Sequence, residues 1–419
     1  MRPTLGSLTL MAALGLGASQ AAASTTCLFV QTGDTQTLLA DCETDETLYI
    51  PIGVTWDGNG HRIVAVDPPG GHFTGAIVRN AGEVAHVRNL TVEARGLSDV
   101  CHAEGAMLRG ILLESANGTI RNSRALNIRQ AERSGCQEGH GIEARNPPYD
   151  GSRPGTRRVV LSGNHVEGYQ KTGILVNGDV SAEVVENRVV GFGAVDFIAQ
   201  NGIQIGYGAT AVVRGNRVEG NSYTGAGWAS AGILLLHAGD RVDVRANRVS
   251  DSDVGVWLSA TSDARVTLNR VRASVREAVL IEGVEGAAEG NYIAANWLEH
   301  SRIGVTVYTA EAVVNEIAHN LLLDQTLVGI QVIDAGSNII RHNKLTGPTE
   351  YGVWLNSDGN EVIANWIRTA GVGIHIEGDD NDVRWNIVHA RDLDLENDGA
   401  NHYTHNHCHD ASGAPVDCP

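Results

Sequence analysis

Apolar residues in this chain come in short alternating runs. A phrase of Gly, an aliphatic, any residue and an aliphatic recurs as GILL at Gly110, GIEA at Gly141, GILV at Gly173, GIQI at Gly202 and GILL at Gly232. It continues as GVWL at Gly255, GVTV at Gly304, GIQV at Gly329, GVWL at Gly352 and GIHI at Gly373, with AVLI at Ala278 filling the gap. A second phrase, Asn, any residue, aliphatic, follows most of these, as in NHV at Asn164 and NRV at Asn187, Asn216, Asn247 and Asn269. It goes on as NLL at Asn320, NKL at Asn343, NWI at Asn365 and NIV at Asn386. Alternation of this kind is the period of a β-strand with one buried face. Gly and Asn between the runs predict corners, because both tolerate left-handed backbone. Stacked Asn side chains are expected to bond along the repeat, as in other in-register ladders. Trp366, next to the corner Asn365, is expected to pack inward.

A repeat of 20–50 residues without helical periodicity implies stacked coils, each unable to bury its apolar face alone. A β-propeller would need longer, meandering blades. The GIxh…NxV units resemble the right-handed parallel β-helix repeat of the pectate-lyase-like superfamily over roughly residues 50–400. The stretch from Cys101 to Gly227, with SGCQEG, GYQKTGI and AQNGIQI, resembles a secreted bacterial subgroup of it. The resemblance implies an all-β, right-handed parallel β-helix solenoid of about a dozen coils. It is weak for function, since one fold hosts lyases, hydrolases, epimerases, adhesins and scaffolds.

The ends read differently. Residues 1–23 have the charged start, short apolar run and small residues of an export signal, too short to span a bilayer. Residues 24–60 are expected to form a cap, 61–400 the β-helix and 401–419 a His-rich tail. In an oxidising compartment six cysteines predict disulfides. Of 15 pairings, the local one is preferred: Cys27 with Cys42, Cys101 with Cys136, and Cys408 with Cys418. The first and last would staple the ends, where a repeat protein frays. A periplasmic or secreted monomer with no membrane span is expected.

Charge narrows the partners. With 31 Lys+Arg against 49 Asp+Glu the net charge is −18, which gives no long-range grip on nucleic acid or anionic lipid. An acidic polysaccharide would need a local basic site. If the two aliphatics of GIxh point inward, the second and fourth residues after each Gly form outward columns. The second-residue column runs Leu112, Glu143, Leu175, Gln204, Leu234, Trp257, Leu280, Thr306, Gln331, Trp354, His375. Its polar stretch falls on the coils opening at Gly141, Gly173 and Gly202. Candidate catalytic residues there are Lys171, Arg145, Glu138, Glu143, His140 and Tyr169. Candidate binding residues are Asn177, Gln200, Asn201, Gln204, Tyr149, Arg153 and Trp257, with Arg157 and Arg158 on the same inserted loop.

A lysine of lowered pKa would remove the proton next to a uronate carboxylate while an arginine neutralises it. In that chemistry Lys171 is the base, Arg145 or Arg153 the carboxylate partner, and Tyr169 or His140 the proton donor. The activity expected is thus a uronate lyase or epimerase. A glycoside hydrolase would instead need two carboxylates, for which Glu138 and Glu143 are the nearest pair. A non-catalytic glycan-binding or structural β-helix is the other reading, with Lys171, Glu138 and Glu143 as solvated cross-coil pairs. No cofactor is expected. His402, His405, His407 and His409 would suit a transition metal, and Asp379, Asp380 and Asp382 calcium, but a capping tail and a plain turn explain them better.

Overall fold

A computed structural model describes residues 25–413 and Cys418. The expected export signal lies outside the described residues. Three parallel sheets, numbered 1, 2 and 3 in the order in which each coil visits them, have 16, 14 and 15 strands and run the length of the molecule. Apart from one antiparallel hairpin (Phe29–Thr32 with Thr35–Leu38), every strand pairs in parallel with its counterpart one coil away. Each coil visits sheet 1, then sheet 2 across a tight corner, then sheet 3, which carries the GIxh phrase. The architecture is the right-handed parallel β-helix that the repeats implied.

About 15 coils are present rather than a dozen. The uncounted strands of sheet 3, Leu48–Ile50, Ala76–Asn80, Leu393–Asn397 and Ala411–Ser412, do not carry the phrase, so nothing in the pattern marked them. In the strand Leu393–Asn397, Asp394 stands where Gly is usual.

The Gly of the phrase plays a different part from the one expected. At Gly141, Gly173, Gly202 and Gly232 the backbone is not left-handed. What these positions lack is room. A Cβ on Gly202 would lie 2.3 Å from Val218 Cγ1 and 2.5 Å from the Gly232 carbonyl oxygen. The valine of the following Asn phrase thus fills the space in front of each Gly. At the corners, the left-handed residue is the one before the Asn: Glu186, Gly215, Ala246 and Leu268 all have φ between 53° and 69°. The Asn itself is buried and bonds along the stack. Asn187 Nδ2 donates to Asn216 Oδ1, Asn216 to Asn247 and Asn247 to Asn269, each at 3.0 Å. The ladder runs unbroken from Asn164 to Asn406. Each amide also donates to a backbone carbonyl, as Asn216 does to Val184 at 2.8 Å.

Aliphatics of all three sheets meet in one continuous core, and the expected inward residues Ile142, Ile174, Ile203 and Ile233 belong to it. Trp366 does not. It faces outward with Lys344 Nζ 5.0 Å from its ring, while Ile367 takes the interior position. The corner Asn is already outside the strand, so inward and outward count from the residue after it. The three expected disulfides, Cys27–Cys42, Cys101–Cys136 and Cys408–Cys418, are formed.

Candidate active site on the third sheet

The outward face of sheet 3 has three columns, not two. The chain slips by one residue at each Gly, so the residue before it also projects outward. Its neighbours prove the point: Asn201 Nδ2 donates to Gln204 at 3.2 Å, and Tyr351 stacks on Trp354 and His375. In this column Arg109 pairs with His140, then Thr172, then Asn201.

Sequence reasoning missed Arg109, which is fully buried and anchors the site. Its guanidinium binds Glu143 directly and donates to the Met107 carbonyl at 2.8 Å. Arg145 donates to Glu114 Oε2 from Nε at 2.9 Å and from Nη2 at 2.6 Å, and lies 3.8 Å from Glu143. Arg79 reaches the other oxygen of Glu114 at 3.3 Å. Three guanidiniums and two carboxylates therefore alternate across neighbouring coils, leaving one positive charge in surplus. The Arg109–Glu143 pair is fully desolvated, and a buried pair is costly to break on one side only.

His140 sits beside this network with Nδ1 buried and unpartnered among the described residues. Burial, then the nearby Arg109, Lys171 and Arg145 charges, outweigh the pull of Glu143 and drop its pKa to about 4. The imidazole is neutral at ordinary pH. The chain has only two lysines, Lys171 and Lys344. Lys171 lies at the edge of the face, half-buried, and donates to the Ala199 carbonyl at 2.8 Å. No carboxylate lies within ion-pair distance of it among the described residues. Burial lowers its pKa to about 8.

On the far side of the strand, Tyr149 is pushed up to about 12, by burial and then by Glu143. Its ring stacks on Tyr207 at 5.7 Å, and Tyr207 on His237 at 6.1 Å. These rings form an exposed shelf. Asn177 Oδ1 is buried and unpartnered among the described residues. Trp257 lies farther along, half-buried between Leu234 and Leu280.

Four candidates are elsewhere. Glu138 is fully buried, accepting from the backbone N–H of His102 at 2.7 Å and Leu108 at 2.6 Å, so it fastens the 101–108 loop. Tyr169 is in the core, its hydroxyl donating to Asn221; burial raises its pKa far out of reach of a proton donor. Gln200 is buried in a turn, donating to the Tyr169 carbonyl at 2.6 Å and accepting from Phe192 N at 2.9 Å. Arg153 lines a recess of about 320 Å³ over sheet 1 with Arg158 and Asp179. All four follow from turn residues whose direction a linear count does not give.

Residues 214–411, under half of the chain, match a family model described as NosD, periplasmic copper-binding protein. Lys171, His140 and the arginine network lie outside the matched segment. The copper of that description finds no fitting donor set. His389 lies 6.1 Å from His407 and 5.4 Å from His409 between ring centroids, yet among the described residues no three His, Cys, Asp or Glu side chains are disposed to hold a metal. No curated protein matches the chain. Among solved structures, the periplasmic alginate epimerase AlgG is 9% identical, with 99% of this chain and 100% of that chain covered and a TM-score of 0.43. The Azotobacter vinelandii mannuronan C-5 epimerase AlgE6 A-module is 13% identical, covering 88% and 91%, at 0.49. The catalytic unit of a GH87 alpha-1,3-glucanase from Streptomyces thermodiastaticus is 12% identical, covering 89% and 62%, at 0.48. Likenesses this distant carry no chemistry across. On its own topology, the chain is a right-handed parallel β-helix protein.

Proposed function

We infer that the face around Lys171, His140 and Arg109 processes an acidic polysaccharide by removing the proton next to a uronate carboxylate. The observation that carries this is Lys171: a half-buried amine with no carboxylate partner among the described residues, at the edge of a cluster with surplus positive charge. An amine poised near neutrality is a competent base. Lys171 takes the C5 proton, and the surplus charge stabilises the enolate that forms. The electron pair then either expels the 4-oxygen, which takes the proton from the Lys171 ammonium and leaves a double bond, or takes a proton from water on the opposite face to invert C5, the Lys171 ammonium giving its proton back to solvent. The first outcome is a lyase, the second an epimerase. His140 Nδ1 and Asn177 Oδ1 are unfilled polar positions for sugar hydroxyls, and Tyr149 and Tyr207 offer a stacking shelf.

A glycoside hydrolase fits less well. Glu138 is committed to the loop, and Glu143 and Glu114 are committed to guanidiniums. The three disulfides support an exported protein in the periplasm or beyond. The test is incubation with a panel of uronate polysaccharides, reading unsaturated product by absorbance and C5 inversion by NMR. Lys171→Arg keeps the charge but cannot act as base. Turnover by the wild type and not by Lys171→Arg is the expected result. No product of either kind on any polymer removes the reading in favour of a glycan binder.

A further inference from the structure

The Asn phrase has a feature the third sheet does not use. In four successive coils it reads Asn-Arg-Val, at 187–189, 216–218, 247–249 and 269–271. The strands of sheet 2 place Arg188, Arg217, Arg248 and Arg270 in direct register, each opposite the next. Neighbouring coils stand about 4.8 Å apart. Like charges directly opposite in a sheet are destabilising, so such a row is normally diluted with carboxylates.

Here the dilution is confined to the ends. Two residues on from Arg188, Arg217, Arg248, Arg270 and then Trp297, the column reads Val190, Glu219, Ser250, Arg272 and Glu299. Glu219 binds Arg217 at 2.9 Å and Arg188 at 2.6 Å, and Glu299 binds Arg270 at 2.8 Å. In the middle, Ser250 and Arg272 replace the carboxylates. Arg248 and Arg272 are exposed and have no carboxylate partner among the described residues. With Arg217 and Arg270 they line a recess of about 180 Å³. Beyond it the column continues into Trp297, whose ring lies 4.7 Å from the Arg270 guanidinium and which is 42% exposed.

We propose that this arginine comb on sheet 2 binds a linear polycarboxylate glycan along the helix axis. The juxtaposition fits the chemistry in three ways. Guanidiniums pair with carboxylates through two parallel hydrogen bonds. The exposed indole gives a sugar ring a face to stack on. The spacing of the arginines, about 4.8 Å, is comparable to one carboxylate per pyranose, whereas each strand of a nucleic-acid duplex carries one charge per about 3.4 Å of helix axis. A protein of net charge −18 also repels the denser polyanion more strongly. The comb lies on a different sheet from Lys171 and does not depend on the reading of that site.

The probes are polygalacturonate, neutral dextran and oligo(dT), with affinities measured by calorimetry for the wild type and for Arg248→Ala/Arg272→Ala. Both residues are exposed, and unchanged melting certifies the variant's fold. Polygalacturonate binding at least tenfold weaker in the variant, with dextran not bound, is the expected result. Equal affinity in variant and wild type overturns the proposal, and so does oligo(dT) binding as tight as polygalacturonate. Both measurements are repeated in the Lys171→Arg background, where the polymer is not turned over, so loss of turnover and loss of the comb are read separately.

Discussion

Val218 Cγ1 stands where the side chain of Gly202 would begin, 2.3 Å from its ideal Cβ. The two phrases of the repeat are therefore one packing unit: the glycine of sheet 3 is the socket and the valine of sheet 2 the plug. The same relation holds between Gly173 and Val189 at 2.4 Å, and between Gly232 and Val249 at 2.3 Å.

Gly202→Ala should accordingly destabilise through overpacking by about 1–3 kcal/mol or more. Adding Val218→Ala should recover part of the loss, and only part, since the Gly232 carbonyl is also within 2.5 Å. Urea unfolding of the two single variants and the double variant gives the coupling. Additive losses would show that the two positions do not share space.

Removing one ladder rung should cost more than its own bonds. Asn216→Ala leaves the Val184 carbonyl and the Asn187 N–H and amide without their partners. Each buried group left unpaired costs about 1–3 kcal/mol. A loss above about 3 kcal/mol by chemical denaturation is expected, against a small loss for an exposed control such as Arg245→Ala.

Arg109 and Glu143 should behave as a pair. Arg109→Ala strands a buried carboxylate and should destabilise by about 3–5 kcal/mol, while Arg109→Met with Glu143→Leu should stay near wild type. The double variant should fold and lose turnover, which separates the pair's structural part from its part in the site.

Two bases lowered by burial act in the same direction over different pH ranges. Lys171 has its folded pKa lowered to about 8 from 10.5, so the unfolded chain binds the extra proton between those values. Stability should rise with pH from about 8 to 10.5, and less so in Lys171→Met. His140 is lowered to about 4 from 6.5, so stability should fall as pH drops from 6.5 towards 4. His140→Asn should flatten that limb. Turnover should climb as pH rises through about 8, where Lys171 becomes the free amine.

The aromatic shelf should govern affinity rather than rate. Tyr207→Ala removes a stacking face worth about 0.5–1.5 kcal/mol, so KM on a long polymer should rise about 2–10-fold with kcat unchanged. A fall in kcat instead would place Tyr207 at the reacting sugar.

Most of the architecture was legible because the repeat states it many times over. The inward aliphatics, the Asn ladder and the three disulfides can be read from spacing. The coils outside the phrase were not legible, because Leu48–Ile50 and Leu393–Asn397 close the stack with other residues. The site was half legible. Glu143, Arg145, Asn177 and Gln204 sit on strands, where alternation fixes direction. Glu138, Tyr169 and Gln200 sit in turns, where a side chain follows the local hydrogen bonds, and all three are buried. Arg109 was passed over because the slip at Gly110 projects the preceding residue outward, and period-two counting has no term for that.

The Asn ladder joins residues separated by as few as 20 and as many as 31 positions, with the same 3.0 Å contact at both extremes. Coil circumference is thus free while coil pitch is locked. Insertions between strands leave the ladder and the plugs untouched, and they emerge as loops such as 147–156, which carries Tyr149 to its stack on Tyr207. Length can be added to this molecule in two currencies: whole coils along the axis, or loops at its rim. Only the second reshapes the outward face of sheet 3.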